Sequence, residues 1–174
     1  LPSSTTSKNA FIIGACANIV GGYTVPSDVV PMSFSAFGPT DDGRLKPDFI
    51  APGPGGTSYA APNVSGAIAL LQELNYKTHG VYLLSSTIKA LLAHTAYEAG
   101  LNPGPDYKHG WGLINPKGAA DLILDNTAAN QIIESSLVNL ETDYYYVYSD
   151  GSQPLVATLC WTDPEGTPIT RTYT

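Results

Sequence analysis

The chain has 174 residues, 43% of them hydrophobic, with eight basic and fifteen acidic side chains for a net charge of −7. That acid excess argues against nucleic acid or an anionic membrane surface as partner, and no apolar run reaches the ~18 residues of a membrane span. The length suits one domain or one and a half.

Residues 1–9 are polar and read as irregular. Residues 11–17 (Phe-Ile-Ile-Gly-Ala-Cys-Ala) are nearly continuous apolar, as expected of a strand covered on both faces in a parallel sheet. Gly21-Gly22 and Pro26 to Asp28 mark a loop, and residues 34–37 and 48–51 read as short strands. The run Pro52-Gly53-Pro54-Gly55-Gly56 holds no regular structure, so the helix after it must begin near Thr57 or Ser58. Its apolar face carries Val64, Ala67, Ile68, Leu71 and Leu74. Ser85, Ser86 and Thr87 offer N-caps for a second helix with Ile88, Leu91, Leu92 and Ala96 on one face, stopping near Gly100. Asn115-Pro116 is an N-cap followed by proline at the first helical position, and opens a third helix through Ala119, Ala120 and Ile123. Strands and helices interleaved in this way predict an α/β domain.

From about residue 130 the pattern changes. Residues 131–133, 144–148 and 155–161 are strand-like, the last alternating Leu155, Ala157, Leu159 and Trp161 with Val156, Thr158 and Cys160. The expected organisation is an α/β domain over residues 1–128 and the opening strands of an antiparallel β-domain over 129–174. Two or three strands cannot cover a core of their own. Cys16 and Cys160 fall in different predicted domains and read as two buried thiols rather than a disulfide. The Leu-Pro start, without an initiator Met, predicts a piece of a longer protein. Low lysine, abundant Tyr, Gly, Pro and Thr, and few cysteines fit a secreted or cell-surface one.

Three segments carry a resemblance. Gly56-Thr57-Ser58-Tyr59-Ala60-Ala61-Pro62-Asn63-Val64-Ser65-Gly66 resembles the nucleophile segment of the subtilisin-like serine proteases, the subtilases. Ser33 to Thr40 with Lys46-Pro47-Asp48 and Ala51-Pro52-Gly53 resembles the stretch before it, and Gly110-Trp111-Gly112-Leu113-Ile114-Asn115 the close of that catalytic domain. The three stand in the family's order. The resemblance implies a mostly parallel sheet with flanking helices, a serine endopeptidase acting on protein or peptide substrates, and Ser58 as its nucleophile and backbone oxyanion donor. Gly56, Thr57 and Tyr59 would line the substrate side. The later strands resemble, more loosely, the β-sandwich that follows the catalytic domain in large extracellular subtilases. Between Ala-Pro-Gly and Gly-Thr-Ser the family carries a longer segment. Here only Pro54 and Gly55 separate Gly53 from Gly56, which predicts residues missing at that junction.

A serine hydroxyl is a poor nucleophile until a base takes its proton. By resemblance that histidine, its aspartate and the oxyanion asparagine lie upstream of the serine, in the preceding part of the same catalytic domain. No histidine precedes Ser58, and His79, His94 and His109 follow it. Each reads as a surface or capping histidine. An α/β-hydrolase order would recruit Asp106 and His109, but Ala60 stands where its Gly-x-Ser-x-Gly elbow wants a glycine. A phosphate loop would need a lysine at Thr57. A non-catalytic subtilase-like binding or scaffold protein is the reading from another class. No cofactor is required for the chemistry. Structural calcium is common among the relatives, but neither Asp41-Asp42 nor Asp163 to Glu165 forms an ordered ligand pattern, and no metal site is assigned.

Overall fold

The computed structural model describes residues 6–126 and 131–162. Two strands, β1 (Ile13–Cys16) and β2 (Phe49–Pro52), pair in parallel, with Ile13 opposite Phe49 and Cys16 opposite Pro52. Three helices follow: α1 (Thr57–His79), α2 (Ser85–Thr95) and α3 (Pro116–Asp125). The α/β expectation holds.

The sheet is wider than its two regular strands. On the outer side of β1, the Ala17 N–H donates to Val30 O at 2.9 Å and the Met32 N–H to Ala15 O at 2.9 Å. Beyond β2, Ile50 donates to Gly112 O at 3.0 Å and Ile114 to Ile50 O at 3.2 Å, and Leu113 in turn pairs antiparallel with Tyr97. The neighbour of β1 is therefore residues 30–32. The strand expected at 34–37 is not formed, because Ser35 turns back and its Oγ accepts the Ala15 N–H at 2.9 Å. A side chain has taken the place of a ladder bond.

One core lies between the sheet and the helices. Ala15, Phe49 and Ala51 from the strands meet Ala60, Val64 and Leu71 of α1, Ile88, Leu91 and Leu92 of α2, and Ala119 and Ile123 of α3. Ala67, Ile68 and Leu74 pack against it half-buried, so the predicted face of α1 is the one used. The caps are mixed. Asn115 Oδ1 accepts the Gly118 N–H at 2.9 Å with Pro116 at the first helical position, as the sequence predicts. The N-cap of α2 is Leu84, which offers no side-chain bond, in place of the Ser-Ser-Thr run. That helix ends at Thr95 rather than near Gly100, because Tyr97 leaves it to pair with Leu113.

Among the described residues beyond α3 no strand or helix forms, and Tyr144 to Tyr148 stand largely exposed. A short hairpin without a covering layer has too little apolar contact to hold a ladder. The segment touches the preceding residues at a few points: Ile132 packs on the core, Glu134 Oε1 accepts the Leu84 N–H at 2.8 Å, and Thr158 Oγ1 lies 3.0 Å from His94 Nδ1. Both cysteines are free, with Cys16 fully buried and Cys160 half-buried rather than buried. No helix among the described residues is long and apolar enough to cross a membrane.

Candidate active site

Ser58 is the second residue of α1 and is exposed, and its hydroxyl has no hydrogen-bond partner among the described residues. The path that delivers it is short. β2 ends at Pro52, the Gly56 N–H closes a tight turn onto Gly53 O at 3.0 Å, and the Tyr59 N–H bonds Gly56 O at 3.0 Å as the helix begins. Glycine is needed here for two reasons. A Cβ on Gly53 would sit 2.8 Å from the Cβ and N of Ala60, and Gly56 has φ 149°, where a side chain would be strained. Pro54 and Gly55 thus suffice to bring the strand end beside the helix start.

The electrostatics favour developing negative charge at this point. The first turn of α1 holds no acidic residue, while its last turn carries Lys77 and His79 before the left-handed Gly80. The unpaired N–H groups and the positive end of the dipole therefore face solvent around Ser58. Pro62 lies inside the helix and has no N–H for the Ser58 carbonyl, four residues back. Thr57 and Tyr59 flank the serine and are exposed, Tyr59 by 64%, with its ring laid over Gly55; Gly56 is half-buried. All four predicted site residues thus gather at one helix tip.

None of the three histidines comes to it. His79 is the last residue of α1, about 30 Å along the axis from Ser58 at 1.5 Å per residue, and its Nε2 lies 3.0 Å from Ile123 O. His94 bonds Thr158 instead. His109 is buried and holds the Asp106 carboxylate through Nδ1 at 2.9 Å. The hydrogen bonds from His109 and from the Lys108 N–H keep the Asp106 carboxyl below its ordinary range against the cost of burial, which alone would raise it. This is a histidine–carboxylate pair of the kind an α/β-hydrolase needs, but it stands at the wrong end of the sheet. The adjoining Trp111 N–H bonds Asp48 O, just before β2 begins, whereas Ser58 follows the end of β2. Gly110 allows that approach, since a Cβ there would collide with the Asp48 carbonyl.

One contact was not legible in the sequence. Asn63 Nδ2 donates to Pro52 O at 2.9 Å, tying the second turn of α1 to the last residue of β2. Read from sequence, Asn63 falls among the motif's unassigned positions, and nothing signals that its amide reaches back across the turn. Among the described residues no group of three or more His, Cys, Asp or Glu is placed to hold a metal ion. The Asp163 to Glu165 cluster lies outside them.

A model of the subtilase family matches residues 2–112, well over half of the chain and including the whole nucleophile turn. The chain belongs to the subtilase family. Over 84% of this subtilase chain, it is 28% identical to a Dictyostelium discoideum protein named serine protease/ABC transporter B family protein tagA, covering 11% of that protein. The tagD protein of the same organism is 26% identical over 76% of the chain and 12% of its own length. Pyrolysin of Pyrococcus furiosus is 35% identical over 47% of the chain and 7% of its own length. The chain thus spans about a tenth of the curated relatives it matches. The tagA match extends over 194 residues, longer than the 174 of this chain, so that relative carries internal residues that the present subtilase lacks.

Proposed function

We propose that this subtilase chain is the nucleophile-bearing part of a secreted or cell-surface serine endopeptidase, followed by the opening of a β-sandwich. Ser58 Oγ attacks the scissile carbonyl as its proton passes to a histidine supplied by sequence outside these residues. That histidine returns the proton to the departing amine as the C–N bond breaks and the acyl-enzyme forms, to be hydrolysed by water. An aspartate from the same upstream part orients that histidine. The Ser58 N–H is one oxyanion donor and an upstream asparagine the other. Gly56, Thr57 and Tyr59 line the substrate side. Peptide hydrolysis needs no cofactor in this scheme, and calcium, where bound, is structural.

The observation that carries this reading is the placement of Ser58: a hydroxyl without a hydrogen-bond partner among the described residues, on an exposed helix tip, in a chain whose family model covers the turn that presents it. A helix N-terminus favours the alkoxide by at most ~2 kcal/mol, too little to activate serine without a base. In subtilisin, loss of the oxyanion asparagine costs ~3–4 kcal/mol and loss of the histidine on the order of a millionfold in rate. The 174 residues by themselves are accordingly expected to be inactive.

The test is labelling of the full-length protein with a fluorophosphonate. Label on Ser58, lost in Ser58→Ala, is the expected outcome. A folded full-length protein that takes no label would favour the non-catalytic binding or scaffold reading and end the peptidase one.

A further inference from the structure

We propose that Asn63 is a positioning residue for Ser58, an inference that rests on the nucleophile reading above. Three backbone bonds shape the turn: the Gly53 N–H to Cys16 O at 2.9 Å, Gly56 to Gly53 O at 3.0 Å, and Tyr59 to Gly56 O at 3.0 Å. They tie the turn to β1 and to the first residues of α1. They do not tie α1 to β2. Pro62 weakens that first turn further by withholding the N–H that would have closed on the Ser58 carbonyl.

Asn63 adds a hydrogen bond to the apolar packing of α1 on β2. Its amide bonds the carbonyl of Pro52, the residue where β2 stops, at 2.9 Å. Ala60 backs onto Gly53 at the same place, so the helix has a pivot at Gly53 and a stay at Pro52. Ser58 lies five residues ahead of the stay, about 7.5 Å along the axis. A tilt of about 8° on that arm displaces the hydroxyl by ~1 Å, and a displacement of that size can cost a hundredfold in rate. One exposed hydrogen bond contributes little to overall stability. Positioning and mere stabilisation therefore predict different things.

The experiment uses the full-length protein and separates the fluorophosphonate inactivation rate at saturation from the probe's binding constant. Asn63→Leu keeps the reach and removes the donor. Asn63→His returns an N–H at nearly the same place. The expected result is a saturating rate lowered about tenfold or more in Asn63→Leu, with the binding constant and thermal midpoint nearly unchanged, and recovery to within about threefold in Asn63→His. An unchanged rate in Asn63→Leu overturns the proposal, as does a loss that the histidine fails to rescue. If the leucine variant does not fold, Asn63→Asp sets an acceptor against the Pro52 carbonyl, and an unchanged rate there is equally fatal. A wild-type protein that never labels refutes the nucleophile reading instead. In that case amide exchange at Gly53, Gly56 and Tyr59 decides: about tenfold faster in Asn63→Leu supports the stay, and unchanged exchange removes it.

Discussion

Asp48 faces more positive charge than one carboxylate can balance. Its two oxygens accept from Lys46 Nζ at 2.7 Å and Lys89 Nζ at 2.6 Å, and one of them also takes the Ile12 N–H at 2.8 Å. The three side chains are only 3% (Lys46), 17% (Lys89) and 7% (Asp48) exposed. Removing the carboxylate in Asp48→Asn would leave two ammonium groups facing one another with little water. Breaking a buried pair in this way costs ~3–5 kcal/mol. Removing Lys46 is different, since Asp48 and Lys89 then remain as a balanced pair. Lys46→Met is expected within ~1 kcal/mol of wild type, because replacing a buried charge by packed carbon is often neutral.

The pH dependence follows from Lys46. Burial, partly offset by Asp48, lowers its pKa below the ordinary lysine value. The folded state then binds fewer protons than the unfolded one in the window between the lowered value and ~10.4, and stability from this group rises with pH there. In Asp48→Asn the offsetting charge is gone, so the rise should begin at lower pH. Urea unfolding followed by far-UV circular dichroism, at pH 7 and across the alkaline range, measures both effects. Should Lys46→Met prove as costly as Asp48→Asn, the assignment of Asp48 as the shared counter-ion is wrong.

Burial pushes the Cys16 thiol up to about 11, so alkylation at pH 8 should modify Cys160 first and reach Cys16 only in denaturant, as read by mass spectrometry. Asn115→Ala removes the acceptor for the Gly118 N–H and should lower stability by ~1 kcal/mol in the same urea assay; Asn115→Asp should retain most of it. Hydrogen bonds from Thr40 and Arg44 bring Asp42 down to about 2. Its contribution to stability is full above ~4 and fades as the pH falls through about 2, which carboxyl-carbon NMR titration of Asp42 against the Arg44→Ala variant can follow.

The parts of the site legible in the sequence are those governed by the local backbone. Pro52 to Gly56 can be neither strand nor helix, so α1 had to start at Thr57 or Ser58, and it starts at Thr57. Asn115-Pro116 announced α3 for the same kind of reason. Apolar periodicity chose the buried face of α1, because burial follows from spacing once a segment is helical.

What required the folded chain was every choice between neighbours distant in sequence. Residues 34–37 have a strand's composition, yet residues 30–32 won the edge of β1, because Ser35 could satisfy the Ala15 N–H with its hydroxyl. The runs after residue 130 read as strands, the last by its alternation, and form no ladder among the described residues, for lack of a covering layer. Asp106 and His109 come together as their spacing allows, but only the sheet's direction puts them at the opposite end from Ser58. Sequence by itself determined where α1 and α3 begin and which serine stands at a helix tip, since φ, ψ and capping are short-range properties. The tertiary structure alone decided which groups share a charge, which edge is filled and what holds the serine's helix to the sheet, since those contacts, the Lys46–Asp48 pair apart, join residues distant in sequence.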